Sequence, residues 1–163
     1  MTEISNFDLL NSPLEGTNLI EASAGTGKTH TLTGLFLRLV LEKGLLVNEI
    51  LVVTFTEAAT EELKDRIRKK LLEAIGVFSG DRNDDVWLNG LRKKATHPKT
   101  ALRRLNEALR GFDQAAIFTI HGFCRRMLHE NAFESGSLFD TELVTDQEKL
   151  KQEIVDDFWR KHF

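Results

Sequence analysis

The most constraining stretch of the sequence is Ala22-Ser23-Ala24-Gly25-Thr26-Gly27-Lys28-Thr29, a run of small residues closed by Gly-Lys-Thr. It follows a short apolar run, Asn18 to Ala22. It precedes Lys28 to Lys43, where Leu32, Leu35, Phe36, Leu39 and Val40 recur at helical spacing and Gly44 supplies a stop. Small side chains let consecutive backbone N–H groups turn inward around an anion. The helix that begins inside the run adds unpaired amides and a favourable dipole. With alanine in place of the first glycine, this is the Walker A pattern of phosphate loops. Lys28 is expected to reach the β- and γ-phosphates of a nucleoside triphosphate and the Thr29 hydroxyl to hold Mg²⁺. The candidate nucleotide contacts are Ala22, Ser23, Ala24, Gly25, Thr26, Gly27, Lys28, Thr29 and His30.

The rest of the chain alternates strands and helices. Asn18 to Ala22, Glu49 to Phe55 and Ala115 to Thr119 read as buried strands. Glu57 to Ile75 reads as a helix with Leu63, Ile67, Leu71 and Ile75 on one face and Thr56 at its N-cap. Gly76 to Asp85 reads as a loop, followed by helices Asp85 to Lys94, Pro98 to Arg110 and about His121 to Asn131. Thr145 and Glu148 form a capping box for a last helix that is still amphipathic at Phe158 and Trp159. Strands alternating with helices imply an α/β parallel sheet flanked by helices. Three strands make a thin sheet, and the uncapped last helix suggests a piece of something longer.

Composition narrows the setting. The net charge is −3, but residues 64–110 carry 13 basic and 6 acidic side chains between acidic flanks. Such a middle either faces a polyanion or forms solvated helix faces. Cys124 is the single cysteine, which excludes an internal disulfide framework and fits a reducing, cytoplasmic compartment. Met1 to Asn11 has acids and no Lys or Arg, unlike a secretory signal, and no apolar stretch approaches a membrane span. His121, Cys124 and His129 offer too few ligands, without a carboxylate shell, for an ordinary zinc site.

Three segments carry a family resemblance. Leu19 to Thr29 (LIEASAGTGKT), Val52 to Arg66 (VVTFTEAATEELKDR) and Thr119 to Cys124 (TIHGFC) resemble, in order, motifs I, Ia and the following TxH motif of superfamily 1 UvrD/Rep-type DNA helicases. Pro13-Leu14-Glu15-Gly16 and Ala132-Phe133-Glu134-Ser135-Gly136 resemble the RecB-like beta subunits of exodeoxyribonuclease V within that group. The resemblance implies an ATP-driven DNA translocase whose first motor domain, of RecA-like P-loop NTPase fold, begins here and is incomplete. It implies single-stranded or duplex DNA and RecC-like and RecD-like subunits as partners, with no membrane. Residues 1–144 would belong to motor domain 1A and residues 145–163 to the start of a truncated helical insertion. Thr54, Phe55 and Thr56 correspond to motif Ia on the DNA track, and Thr119, His121 and Phe123 to the next motif. Independently, all three segments follow expected strands, so they should share the rim where open parallel sheets bind ligands.

The sequence also departs from the family. No Gln precedes Gln114, so the usual adenine-reading glutamine is missing upstream of motif I. No apolar strand ends in paired acids: Ile154-Val155-Asp156-Asp157 lies in a helical pattern. The chain alone is therefore expected to bind MgATP weakly and hardly hydrolyse it. Two other readings stay open: a different P-loop enzyme such as a small kinase, or a DNA- or partner-binding module with a vestigial loop.

Overall fold

The computed structural model describes residues 6–23, 25, 27–135 and 147–162. The chain divides into two compact units, residues 1–123 and 124–163. In the first, helix α1 (Lys28–Arg38) runs into a π-helical turn (Leu39–Lys43) that closes at Gly44, φ 72°. The left-handed backbone there suits glycine. Strand β1 (Val52–Thr54), helix α2 (Glu57–Ser79), helix α3 (Val86–Lys94) and helix α4 (Pro98–Arg110) follow. Strand β2 (Ile117–Thr119) then leads into helix α5 (Ile120–Glu130).

Helix α2 organises the core. Its buried residues Leu63, Ile67, Leu71, Ala74, Val77 and Phe78 fall at three- and four-residue intervals. They share one apolar cluster with Phe36, Leu37 and Val40 of the α1 segment, Leu88 and Leu91 of α3, and Ala101 and Leu105 of α4. Helix α2 also packs against both strands. These pair in parallel, with Val52 opposite Ile117, Val53 opposite Phe118 and Thr54 opposite Thr119. A two-stranded ribbon has little stability of its own, so the helix layer holds it.

The expected α/β class holds in coarse form: a small parallel sheet with helices. Asn18 to Ala22 is a correction. It is irregular rather than a strand, and Leu19 is 86% exposed. A buried strand needs neighbours for its backbone and cover on both faces, and Leu19 and Ile20 are the only large apolar side chains it has to contribute. The α1 face is also rotated from expectation. Leu32 is exposed, while Arg38 is 2% exposed.

Arg38 is buried because it ties down the N-terminal segment. Its Nη1 donates to the carbonyls of Leu9 and Ser12 at 3.1 and 2.8 Å, and its Nε bonds Glu42 at 2.6 Å. Leu9 lies directly over Gly34, where a Cβ would approach it to 2.6 Å. Helix α2 extends past Ile75 to Ser79 because Val77 and Phe78 are buried. Asp85 then caps α3, accepting from Leu88 N at 3.0 Å and pairing with Lys70 at 2.6 Å.

The second unit contains the end of α5, a short helix α6 (Ala132–Ser135) and helix α7 (Glu148–His162). Leu150, Ile154 and Phe158 form an exposed stripe on α7, and Phe158 tilts against His162 at 4.6 Å. Thr145 of the expected capping box lies outside the described residues. No described helix is long and apolar enough to cross a membrane.

Two outcomes follow from this packing. Leu71→Ala should cost about 2–5 kcal/mol in urea unfolding, whereas exposed Leu72→Ala should cost well under 1 kcal/mol. Burial works to raise the Asp85 pKa, but hydrogen bonds from Lys70 and the Leu88 amide outweigh it and hold the carboxyl below its ordinary value. A depressed folded pKa adds stability that is present above the unfolded value of ~3.9 and lost as pH falls through the folded one. Asp85→Asn keeps a good N-cap and should flatten the loss of stability below about pH 4, measured by unfolding across an acid series.

Candidate functional site

The phosphate-loop segment forms a bend stabilised by its own groups. Gly25 and Gly27 adopt φ 78° and 90°, left-handed values that side-chain-bearing residues rarely take. Gly27 is the N-cap of α1 and has no side chain to cap it, so the first-turn amides have no side-chain acceptor at that position. Lys28 reaches back over the bend, its Nζ donating to the carbonyls of Ala22 and Ser23, each at 3.0 Å. Ala22, Ser23, Gly25, Gly27 and Lys28 are exposed, and Thr29 is half-buried. The Thr29 carbonyl accepts from Thr33 Oγ1 at 2.7 Å, fixing that residue to the next turn. Exposed His30 sets its ring against Trp87 of α3, with centroids 6.3 Å apart at 69°. Ala24 and Thr26 lie outside the described residues.

This bend joins left-handed glycines, an uncapped helix start and an ammonium held by two neutral carbonyls. Those carbonyls are weaker partners for an ammonium than anionic oxygens. The geometry therefore fits an anionic ligand able to displace them, and the donor set suits phosphate oxygens.

A second group of expected residues gathers where β1 and β2 end side by side. Thr54 and Thr119 are register partners at that edge. The Thr54 and Thr60 hydroxyls lie 2.6 Å apart and both reach the Thr56 carbonyl at 3.1 Å. Thr56 caps α2, accepting from Ala59 N at 3.2 Å. Between them Phe55 projects outward, 87% exposed, so core packing does not explain it. Thr119 is buried: its hydroxyl donates to Glu57 Oε1 at 3.1 Å and accepts from Gly122 N at 3.0 Å. His121 is exposed and Phe123 half-buried.

Sequence reasoning missed Glu57 as the partner of Thr119, Thr60 as a member of the hydroxyl cluster, and Trp87 beside His30. Glu57 was legible only as a helix-start charge, because its partner lies 62 positions away. Trp87 carries no local sequence signal, and only its packing marks it. Its Nε1 is buried without a hydrogen-bond partner among the described residues, a state that costs about 1–3 kcal/mol.

Comparison with known proteins adds family information. The model of the UvrD/REP helicase N-terminal domain matches residues 5–162. The RecBCD enzyme subunit RecB of Escherichia coli (strain K12) is 47% identical over 164 residues, covering 96% of this chain and 14% of that protein. The RecBCD enzyme subunit RecB of Haemophilus influenzae is 45% identical over 178 residues, covering 100% and 15%. That of Mycobacterium tuberculosis (strain H37Rv) is 37% identical over 164 residues, covering 98% and 15%. The chain thus spans 14–15% of the length of these relatives.

The Thr119 hydroxyl joins the start of α2 to the start of α5. Thr119→Val preserves shape but leaves the Gly122 amide without its acceptor, and should cost about 1 kcal/mol in urea unfolding. Unchanged stability would show that the hydroxyl bridge contributes nothing.

Proposed function

Because the chain belongs to the UvrD/REP helicase N-terminal domain family, we propose that it is the nucleotide-binding start of an ATP-dependent DNA helicase–nuclease subunit. The carrying observation is the bend at Gly25 and Gly27, where Lys28 bonds two backbone carbonyls at an uncapped helix start. Lys28 and the first-turn amides would hold the phosphates of ATP, and Thr29 would hold Mg²⁺. The bound metal would supply neutralisation of phosphate charge. The role of this chain's residues is to bind and orient the triphosphate, with His30 closing the end of the loop.

The second half of the reading concerns DNA. Phe55 offers a free ring face for a base, and base–aromatic stacking is sequence-tolerant. Thr54, Thr56 and Thr119 shape the strand ends beneath it, and His121 and Phe123 continue the same rim. The resulting activity is ATP-driven movement along single-stranded DNA, acting in double-strand break repair and recombination, with the remainder of the motor supplied by a longer protein. Residues 1–144 form the motor-domain portion and 145–163 begin a helical insertion. RecC-like and RecD-like subunits are the proposed partners, and the cytoplasm the proposed location.

Lys28→Ala should abolish MgATP binding measured by equilibrium dialysis while leaving the urea midpoint within error, since the lysine is exposed. Retained nucleotide affinity would overturn the reading. Phe55→Ala should weaken binding of an oligothymidylate by about 5- to 100-fold without altering nucleotide affinity. Phosphate transfer to an acceptor by the purified chain would instead favour a kinase.

A further inference from the structure

Helix α3 is anchored at several points around the segment that precedes and follows the phosphate loop. Lys70 pins its N-cap Asp85 at 2.6 Å. Gly90 lies under Leu10, close enough that a Cβ would sit 3.2 Å from its Cδ2. Lys94 Nζ donates to the Leu10 carbonyl at 2.8 Å. Near its start, Trp87 meets the ring of His30, the residue that follows Thr29. The centroid separation of 6.3 Å and angle of 69° are those of an edge-to-face aromatic pair, which is attractive and directional. Helix α3 therefore braces both the N-terminal segment and the first turn of α1.

The pair is also incompletely satisfied. The Trp87 indole N–H is buried and has no hydrogen-bond partner among the described residues. The ring against it, when neutral, carries an acceptor nitrogen. The Lys28 ammonium donates to the carbonyls of Ala22 and Ser23 and keeps its third N–H for a phosphate oxygen. His30 belongs to the same first turn as the amides that would receive the phosphates, so a ligand engaging those amides bears on the turn that carries the His30 ring.

Resting on the nucleotide reading above, we propose that Trp87 is a positioning residue for the phosphate loop. Through His30 it holds the first turn of α1, and the ring pair rearranges when nucleotide enters. Trp87 does not touch the nucleotide in this scheme. It sets the amides and hydroxyl that do.

The test uses the whole chain carrying Trp159→Phe, which leaves Trp87 as its one tryptophan. On titration with MgATP, Trp87 emission should change in parallel with occupancy measured separately by equilibrium dialysis. His30→Leu should abolish the emission change at saturating nucleotide. Trp87→Leu should weaken MgATP binding by about 2- to 10-fold, and Trp87→Phe should restore it, as an edge-to-face ring requires. Nucleotide bound by dialysis with silent Trp87 emission overturns this proposal and leaves the nucleotide reading intact. So does a Trp87→Leu variant that binds like the parent. Failure of the parent chain to bind MgATP by dialysis overturns both.

Discussion

Everything in the first unit depends on burying one face of α2. Six of its side chains, Leu63 through Phe78, meet the α1 segment, α3 and α4 in a single cluster, and the helix also lies against both strands. The parallel ribbon is three residues deep, too small to organise a domain alone. The helix therefore does not decorate a sheet; it is the support on which the sheet is held. This explains why motif-bearing residues sit at its N-terminus. Thr56 and Glu57 are fixed by the same helix whose far end fills the core, so the rim inherits the rigidity of the interior.

Polar groups complete what apolar burial begins. Arg38 is buried yet satisfied, because the Leu9 and Ser12 carbonyls and the Glu42 carboxylate share its guanidinium. Removing any one partner would leave charge or carbonyl buried without compensation, which is why such networks tend to be all or nothing. At the strand ends the logic is repeated with hydroxyls. Thr54, Thr60 and Thr119 turn inward to backbone and carboxylate partners, leaving Phe55 as the outward group.

Local chemistry was readable from the sequence, and long-range partnership was not. The bend at Gly25 and Gly27, the Thr56 cap and the Gly44 stop each depend on a few adjacent residues, and each is where the residue pattern put it. Asn18 to Ala22 looked like a strand, but a strand exists only with neighbours, and none is specified within five residues. The loop expected from Gly76 began four residues later because Val77 and Phe78 found a core to fill, outweighing a glycine in the helix. Arg38 reads as a solvent-facing cation until the carbonyls of a distant segment appear. The phosphate-loop residues were legible for their chemistry, whereas Trp87 lies 57 positions beyond His30 and nothing local announces it.

The hold of Ala22 and Ser23 on the Lys28 amine has a consequence for selectivity. A bare cation at a helix start would collect whatever small anion the solvent offers. Here the amine already donates to two carbonyls at 3.0 Å, which fixes its position and leaves one N–H for an incoming anion. A single weak oxyanion would engage that one donor and little else. A polyphosphate, with several oxygens and more than one charge, would engage the amine and the helix-start amides together. The loop thus presents a positioned amine beside helix-start amides that lack a side-chain cap, an arrangement that rewards a ligand with several oxygens over one with a single oxygen.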